Sequence, residues 1–331
     1  MRAPVVPVLL AGVLVSATAR AQTIHELNFD ERPAFLPNNT VVLTFDDGPD
    51  EMHTGKTLDV LKEKNVKATF FINTDNAANV NVDLAMQALV RRIVDEGHEL
   101  ANHSVHHLAL ALQTPQSLEE EIAGVENTVC NVVGNRAPRL TLFRAPFGDP
   151  YLGPLHGVGY DWIAPIVAKH AVHVGWNIDS NDWRAAPGDG ETVFRNVTGL
   201  LKTPGQGAYG IILLHSIHSQ TVAALPRIID YVRSKGFVFK LTEDVVRARW
   251  GKPSIQLVPP GKVCALAPPD AGADGAGAAP PDAGPGADGR PEVDAVVPGV
   301  DAGRDGAGAP AGTGGGTGGN GELTGGTGGG T

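Results

Sequence analysis

A chain of 331 residues that is 42% hydrophobic and 19% charged, with a formal net charge of −10, is not wholly disordered and has room for one or two domains. The charge is uneven: residues 270–331 hold nine acidic side chains against two arginines, and 22 of the 42 glycines lie between Ala271 and Thr331, so the rest of the chain is close to neutral. There is no basic footprint for nucleic acid, and two cysteines exclude a disulfide-dense mini-scaffold or a cysteine-rich zinc module.

At the start, Arg2, an apolar stretch from Ala3 to about Ala17 and the Ala19-Arg20-Ala21 triplet predict a secretory signal over residues 1–21, with the mature chain beginning at Gln22. The stretch from Ala3 to Ala19 contains Pro4 and Pro7 and falls short of the roughly 20 residues that span a bilayer. A mature chain without a membrane span, secreted or held in the cell envelope, is therefore expected, with an uncleaved anchor as the alternative. That compartment permits Cys130 and Cys264 to pair, and two free thiols are the competing reading. Residues 22–38 form a lead-in.

From 39 to 250, strand-like and helix-like segments alternate. Val41–Phe45 is a short buried strand ending in Asp-Asp-Gly-Pro, Thr54–Lys64 a helix, Ala68–Ile72 a strand, Ala85–Glu96 a helix stopped by Gly97, and His98–Asn102 a strand. Ser117–Val133 follows as a helix, then strands over Leu140–Phe143, His173–Ile178 and Ile211–Leu214, and a helix over Thr221–Ser234 ending at Gly236. Such alternation means parallel strands with crossover helices, and this number of units without a linker fits one (β/α) barrel. Residues 251–269 connect the barrel to the segment 270–331. There Gly, Ala, Pro and Asp dominate and bury too little apolar surface to offset an ordering entropy of about 1–2 kcal/mol per residue, so a disordered tail is expected.

In a (β/α) barrel the chemistry sits at the C-terminal ends of the strands. Five strands here end in polar clusters: Asp46-Asp47, His103-Ser104-Val105-His106-His107, Arg144-Ala145-Pro146-Phe147-Gly148, Asp179-Ser180-Asn181-Asp182-Trp183 and Leu213-Leu214-His215. His103 and His107, four apart, share one face if that segment turns helically, and Asp46 or Asp47 would complete a set of two imidazoles and one carboxylate. Such a set leaves a coordination position open, which suits catalysis. Adjacent carboxylates at a strand end can divide the work, one binding a metal and the other accepting a proton. His106 reads as a solvated residue. No Gly-x-Ser-x-Gly occurs, and His98-Glu99 lacks the second histidine of a zinc-protease helix.

Thr44-Phe45-Asp46-Asp47-Gly48-Pro49, His103-Ser104-x-x-His107, Arg144-x-Pro146-Phe147-Gly148, Asp179-x-x-Asp182-Trp183 and Leu213-x-His215 resemble the five ordered motifs of the polysaccharide deacetylase family, the NodB-type domain of carbohydrate esterase family four. The resemblance implies a distorted (β/α) barrel, metal-dependent hydrolysis of acetyl groups on sugars, and a polysaccharide or oligosaccharide as the partner of a monomeric chain. It makes Asp46 the general base. Asp47, His103 and His107 become the ligands of a divalent ion, usually zinc, with cobalt or manganese as alternatives. Arg144 would pair with the base, and the backbone N–H of Phe147, after Pro146, would help hold the oxyanion. His215 would be the general acid supported by a carboxylate, Asp182 or else Asp179, and Trp183 and Leu213 would wall the acetyl pocket. The sequence departs from the family's usual pattern at Phe147, where tyrosine is common, and at Ser216, where aspartate is frequent. The implied function is N-deacetylation of N-acetylglucosamine-containing glycans, peptidoglycan or chitin-like, the alternatives being O-deacetylation of acetylated xylan or a silent carbohydrate-binding protein. Tyr151, Trp162 and Trp176 are candidates for sugar stacking or for core.

Overall fold

Residues 23–28, 32–261 and 264 are described by the structure, a computed structural model. The expected signal at 1–21 and the expected tail at 270–331 lie outside the described residues.

Among the described residues nine strands and seven α-helices follow one another. The strands are β1 (Glu26–Leu27), β2 (Thr40–Asp46), β3 (Thr69–Ile72), β4 (Glu99–Asn102), β5 (Leu142–Phe143), β6 (Val172–Val174), β7 (Ile178–Asp179), β8 (Gly210–His215) and β9 (Val238–Lys240). The helices are α1 (Thr54–Glu63), α2 (Leu84–Asp95), α3 (Pro115–Val133), α4 (Tyr160–Ala168), α5 (Gly190–Leu200), α6 (Ser219–Ser234) and α7 (Thr242–Trp250). The sheet runs β1-β6-β5-β4-β3-β2-β8-β7, with β9 beside the first half of β2, and every pairing is parallel. Among the described residues no pairing joins β7 back to β1, so the expected distorted barrel is a curled, open one.

Strand β2 is the spine. All seven of its residues are buried, as a parallel strand covered on both faces requires, and each fully buried Val, Leu or Phe contributes about 1.5–3 kcal/mol. Its register places Phe45 beside Phe70 and Leu214, and Asp46 opposite His215. Because all strands run the same way, their C-terminal ends lie along one rim. The helices close locally: Asp83 Oδ1 accepts from the N–H groups of Ala85 and Met86 to start α2, and Thr114 caps α3 with Pro115 in its first turn. A second apolar cluster, including Ile122, Phe143, Ile163 and Val167, packs α3 and α4 onto the outer face of β5.

One expected strand is corrected. His173–Ile178 is two strands, β6 and β7, that take places far apart in the sheet order. The apolar run concealed a crossing at Gly175-Trp176-Asn177. There a Cβ on Gly175 would come within 2.4 Å of Leu152, and the Asn177 side chain bonds the backbone of Tyr209 and Ile211. The sequence reading also missed β1, α4, α5, α7 and β9; Asp189, whose Oδ1 accepts from Thr192 N–H, was the available cap signal for α5. Cys130 of α3 and Cys264 form a disulfide with their Cα atoms 5.3 Å apart. No helix among the described residues is long and apolar enough to cross a membrane.

Candidate active site

Asp46 ends β2 and Arg144 follows β5. The guanidinium is wholly buried and all its edges are used: Nη1 donates to Asp46 Oδ1 at 2.7 Å and to Thr44 Oγ1 at 2.8 Å, Nε to Val174 O, and Nη2 to Gly175 O. Thr44 passes the contact on, donating to Ile212 O. A charge-assisted pair in this setting fixes one carboxylate oxygen and leaves Oδ2 at the cleft side, 3.8 Å from His103 Nε2.

Asp47 faces elsewhere. At φ 68° it lies in the left-handed region, which turns its carboxylate toward the histidine segment. His103 Nε2 and His107 Nε2 each approach Asp47 Oδ1 to 3.3 Å, and one ligand atom from each of the three residues lies within 4.8 Å of the others. The two imidazoles do not share a helical face as expected. Residues 103–107 form no helix; Ser104 (φ 70°) and His107 (φ 56°) are left-handed, and Ser104 Oγ accepts from His107 N–H while Asn73 Nδ2 donates to the carbonyls of His103 and Ser104. His106 points away, its ring half-exposed and bonded to Glu121.

This cluster fits a divalent cation. Asp47 Oδ1 is buried without a hydrogen-bond partner, a costly arrangement unless a cation completes it. His103 Nδ1 can only donate to Arg144 O, at 2.8 Å, which leaves Nε2 with its lone pair facing the cluster. Burial, the largest influence, lowers the His107 ring to about 4, so it too has a lone pair to give. Burial works against ionisation of Asp47, but the imidazoles of His103, His215 and His107 around it hold its carboxyl well below the usual range. One carboxylate and two imidazole nitrogens suit a zinc-like ion.

His215 ends β8 on the other side of the cleft, with Nε2 4.0 Å from Asp47 Oδ2. Its Nδ1 meets Asp182 Oδ1 at 2.7 Å, and Asp182 also accepts from the His215 N–H, Thr221 Oγ1 and the Trp183 N–H. Burial lowers the imidazole's affinity for a proton. The Asp182 charge and hydrogen bond, with smaller help from Asp47 and Asp46, outweigh burial and raise the pKa to about 9. Asp182 answers with a lowered pKa despite its own burial. Asp179 does not touch His215; its Oδ1 accepts from Asn181 N–H, and it lines the cleft.

The cleft between these groups holds about 600 Å³ and is walled by Phe147, Trp183, Leu213, Leu152 and Trp176. Phe147 and Trp183 are 53% and 51% exposed, whereas Leu213 is buried. Phe147, left-handed at φ 60°, lays its ring 4.7 Å from that of His107. Pro146 is buried and does not line the cleft. Of the three aromatic candidates only Trp176 reaches it: Tyr151 is buried in a stack on His173, and Trp162 packs against the second apolar cluster. Sequence reasoning missed Thr44, Asn73 and Thr221, polar residues in apolar surroundings. It also missed Gly153, where a Cβ would fall 2.2 Å from Phe147 O, and Arg184.

A family model described as polysaccharide deacetylase matches residues 36–153. Over 242 residues the chain is 29% identical to the peptidoglycan-N-acetylglucosamine deacetylase PgdA of Listeria monocytogenes serotype 1/2a, covering 72% of this chain and 46% of that one. It is 32% identical over 216 residues to the chitooligosaccharide deacetylase of Bradyrhizobium sp., covering 60% of this chain and 86% of that one. The solved chitin deacetylase of the fungal pathogen Colletotrichum lindemuthianum superposes with a TM-score of 0.55 at 26% identity, over 67% of this chain and 92% of that one. The chain thus spans about half the length of the Listeria relative.

Proposed function

The chain belongs to the polysaccharide deacetylase family, and from that premise we propose that it hydrolyses the N-acetyl groups of N-acetylglucosamine-containing glycans, peptidoglycan or chitin-like, outside the cytoplasm. The observation that carries this reading is the opposed pair of supported groups across one cleft: Asp46 on Arg144, and His215 on Asp182, with Asp47, His103 and His107 between them.

A divalent cation on Asp47, His103 and His107, zinc by its fit to the donor set, would supply Lewis acidity toward a water and the acetyl carbonyl. The residues do the rest. Asp46, anchored through Oδ1, receives the proton of the attacking water at Oδ2. The Phe147 N–H, set by its left-handed backbone, donates to the developing oxyanion. His215 holds a proton on Nε2 at neutral pH and gives it to the departing nitrogen. An amine leaves poorly unless protonated, so a raised imidazole suits an amide and favours N- over O-deacetylation. Trp183 and Leu213 enclose the acetyl methyl and keep water away from it. The relatives named for peptidoglycan and chitin substrates, together with the signal expected at residues 1–21, support an extracytoplasmic site of action.

The test is acetate release by the zinc-loaded chain from chitotetraose and from peptidoglycan strands, with and without His215→Ala. Release that falls at least ~10²-fold in the variant is expected. No release from any glycan by the wild-type chain with metal bound would overturn the proposal.

A further inference from the structure

Every charged group that walls the cleft is engaged by the proposed chemistry or by its own turn, except one. Asp46 is matched by Arg144, Asp47 by the two imidazoles beside it, and His215 by Asp182, while Asp179 caps its own turn. Arg184 also lines the cleft and is exposed, and no carboxylate of the described residues lies within ion-pair distance of it. Some arginines of this surface pair with a carboxylate, as Arg92 does with Asp59 and Glu96 and Arg136 with Asp95, and others do not, Arg91 and Arg233 bonding to backbone carbonyls; Arg184 differs from these in lining the cleft.

Arg184 is held in place all the same. Its guanidinium lies over the Trp183 ring, 4.3 Å from the centroid. Its backbone closes the single turn Asp182–Arg184, in which Arg184 N–H bonds to Asn181 O at 3.1 Å. The same turn carries Asp182, so the cation stands two residues from the carboxylate that supports the proton donor, on the His215 side of the cleft. A guanidinium held over an aromatic face can still present N–H groups to the cleft, and their fork matches a carboxylate in a two-point contact. The cleft takes a sugar chain, so the carboxylate it can meet there is one borne by the glycan.

We propose that Arg184 binds a carboxylate carried by the glycan within one sugar unit of the reacting acetamide, and so selects acidic strands over neutral ones. The proposal rests on the deacetylase reading and adds the charge of the substrate to it.

Three probes test it on the full zinc-loaded chain: an N-acetylglucosamine–N-acetylmuramic acid tetrasaccharide with free lactyl carboxylates, the same tetrasaccharide with those groups converted to methylamides, and chitotetraose. Affinity is read by calorimetry, and kcat and KM by acetate release. The wild-type chain is expected to prefer the carboxylate form to the methylamide by about three- to tenfold, the range between an exposed ion pair and a well-formed charge-assisted contact. The preference should lie in KM and affinity rather than in kcat, and should shrink with added salt. In Arg184→Gln the ratio should fall to near one, and Arg184→Lys should keep part of it. A wild-type ratio near one, or no binding of any probe, overturns the proposal. So does an Arg184→Gln variant that weakens both tetrasaccharides by the same factor, since that marks a residue that only shapes Trp183. A calorimetric preference that persists while no probe releases acetate would refute the reaction and leave the carboxylate site standing.

Discussion

Replacing Asp182 by asparagine keeps the shape of the support behind His215 and removes its charge. Burial pushes the His215 ring down, and Asp182, through charge and the 2.7 Å bond to Nδ1, is the largest influence that raises it to about 9. Without that charge the ring should titrate at or below the ordinary imidazole value of about 6.5. If His215 must be protonated to act, its competent fraction at pH 8 falls from ~0.9 to ~0.03, a loss of about 30-fold, and at pH 7 from ~0.99 to ~0.24, about fourfold. A divalent ion beside Asp47 repels the protonated ring in both proteins, so the measured quantity is the displacement of the alkaline limb of kcat/KM, about 2.5 units toward acid. The assay is acetate release from chitotetraose across about pH 5–10. Stability has the same sign. The folded ring binds its proton more tightly than the unfolded one, so this contribution is complete below about pH 6.5 and is lost as the pH passes about 9. Thermal unfolding of Asp182→Asn should lack that alkaline decline. An alkaline limb that stays in place in the variant would refute the assignment of Asp182 as the group that keeps His215 protonated.

Chelation should abolish activity, and zinc at about 100 times its Kd should stabilise the fold by about 2.7 kcal/mol; an equal rise in melting temperature in Asp47→Ala would remove Asp47 from the ligand set. The disulfide between Cys130 and Cys264 spans 134 residues, for which loop-closure entropy gives an upper figure of about 5 kcal/mol. The double serine variant should therefore melt well below the oxidised chain, and an unchanged melting temperature would show that the bond does not constrain the unfolded state. His173 is buried with neither ring nitrogen partnered, and burial drives its pKa well below the usual imidazole value. His173→Phe, which keeps the stack on Tyr151 and removes two orphaned nitrogens, should be neutral or stabilising, and a loss beyond about 1 kcal/mol in urea unfolding would contradict this.

The fold was legible where burial writes a simple pattern. Strand β2 is buried along its length and carries the apolar run Val41-Val42-Leu43 with Phe45, and such runs separated by amphipathic helices announce parallel strands. The pattern failed where the same apolar composition serves two elements. Val172–Val174 and Ile178–Asp179 look like one run, yet the chain crosses the open side of the sheet between them, and only Gly175 and Asn177 hint at it. Short strands such as β9 also escaped, since three half-exposed residues carry too little periodicity to stand out.

The site was legible in its residue types and not in its geometry, for a reason that lies in the backbone. Among the described residues six non-glycine positions have positive φ, and five of them, Asp47, Ser104, His107, Phe147 and Asn181, fall in the clusters that follow the strands. Each costs on the order of 1–3 kcal/mol and persists only where its surroundings insist on it. The surroundings are visible: Ser104 Oγ holds His107 N–H, Asn73 holds the carbonyls of His103 and Ser104, and Asp179 holds Asn181 N–H. A glycine would mark such a turn in the sequence, but a glycine cannot ligate a metal or carry an aromatic wall. The functional residues themselves must therefore take the left-handed conformation, and nothing in their spacing reveals it. The same turn separates the two neighbouring aspartates. Asp46, still in the strand, reaches Arg144, while Asp47, one residue on and left-handed, reaches the histidines. One backbone dihedral thus divides a base from a ligand, and a variant such as Asp47→Gly that relaxed this turn would disturb both roles at once.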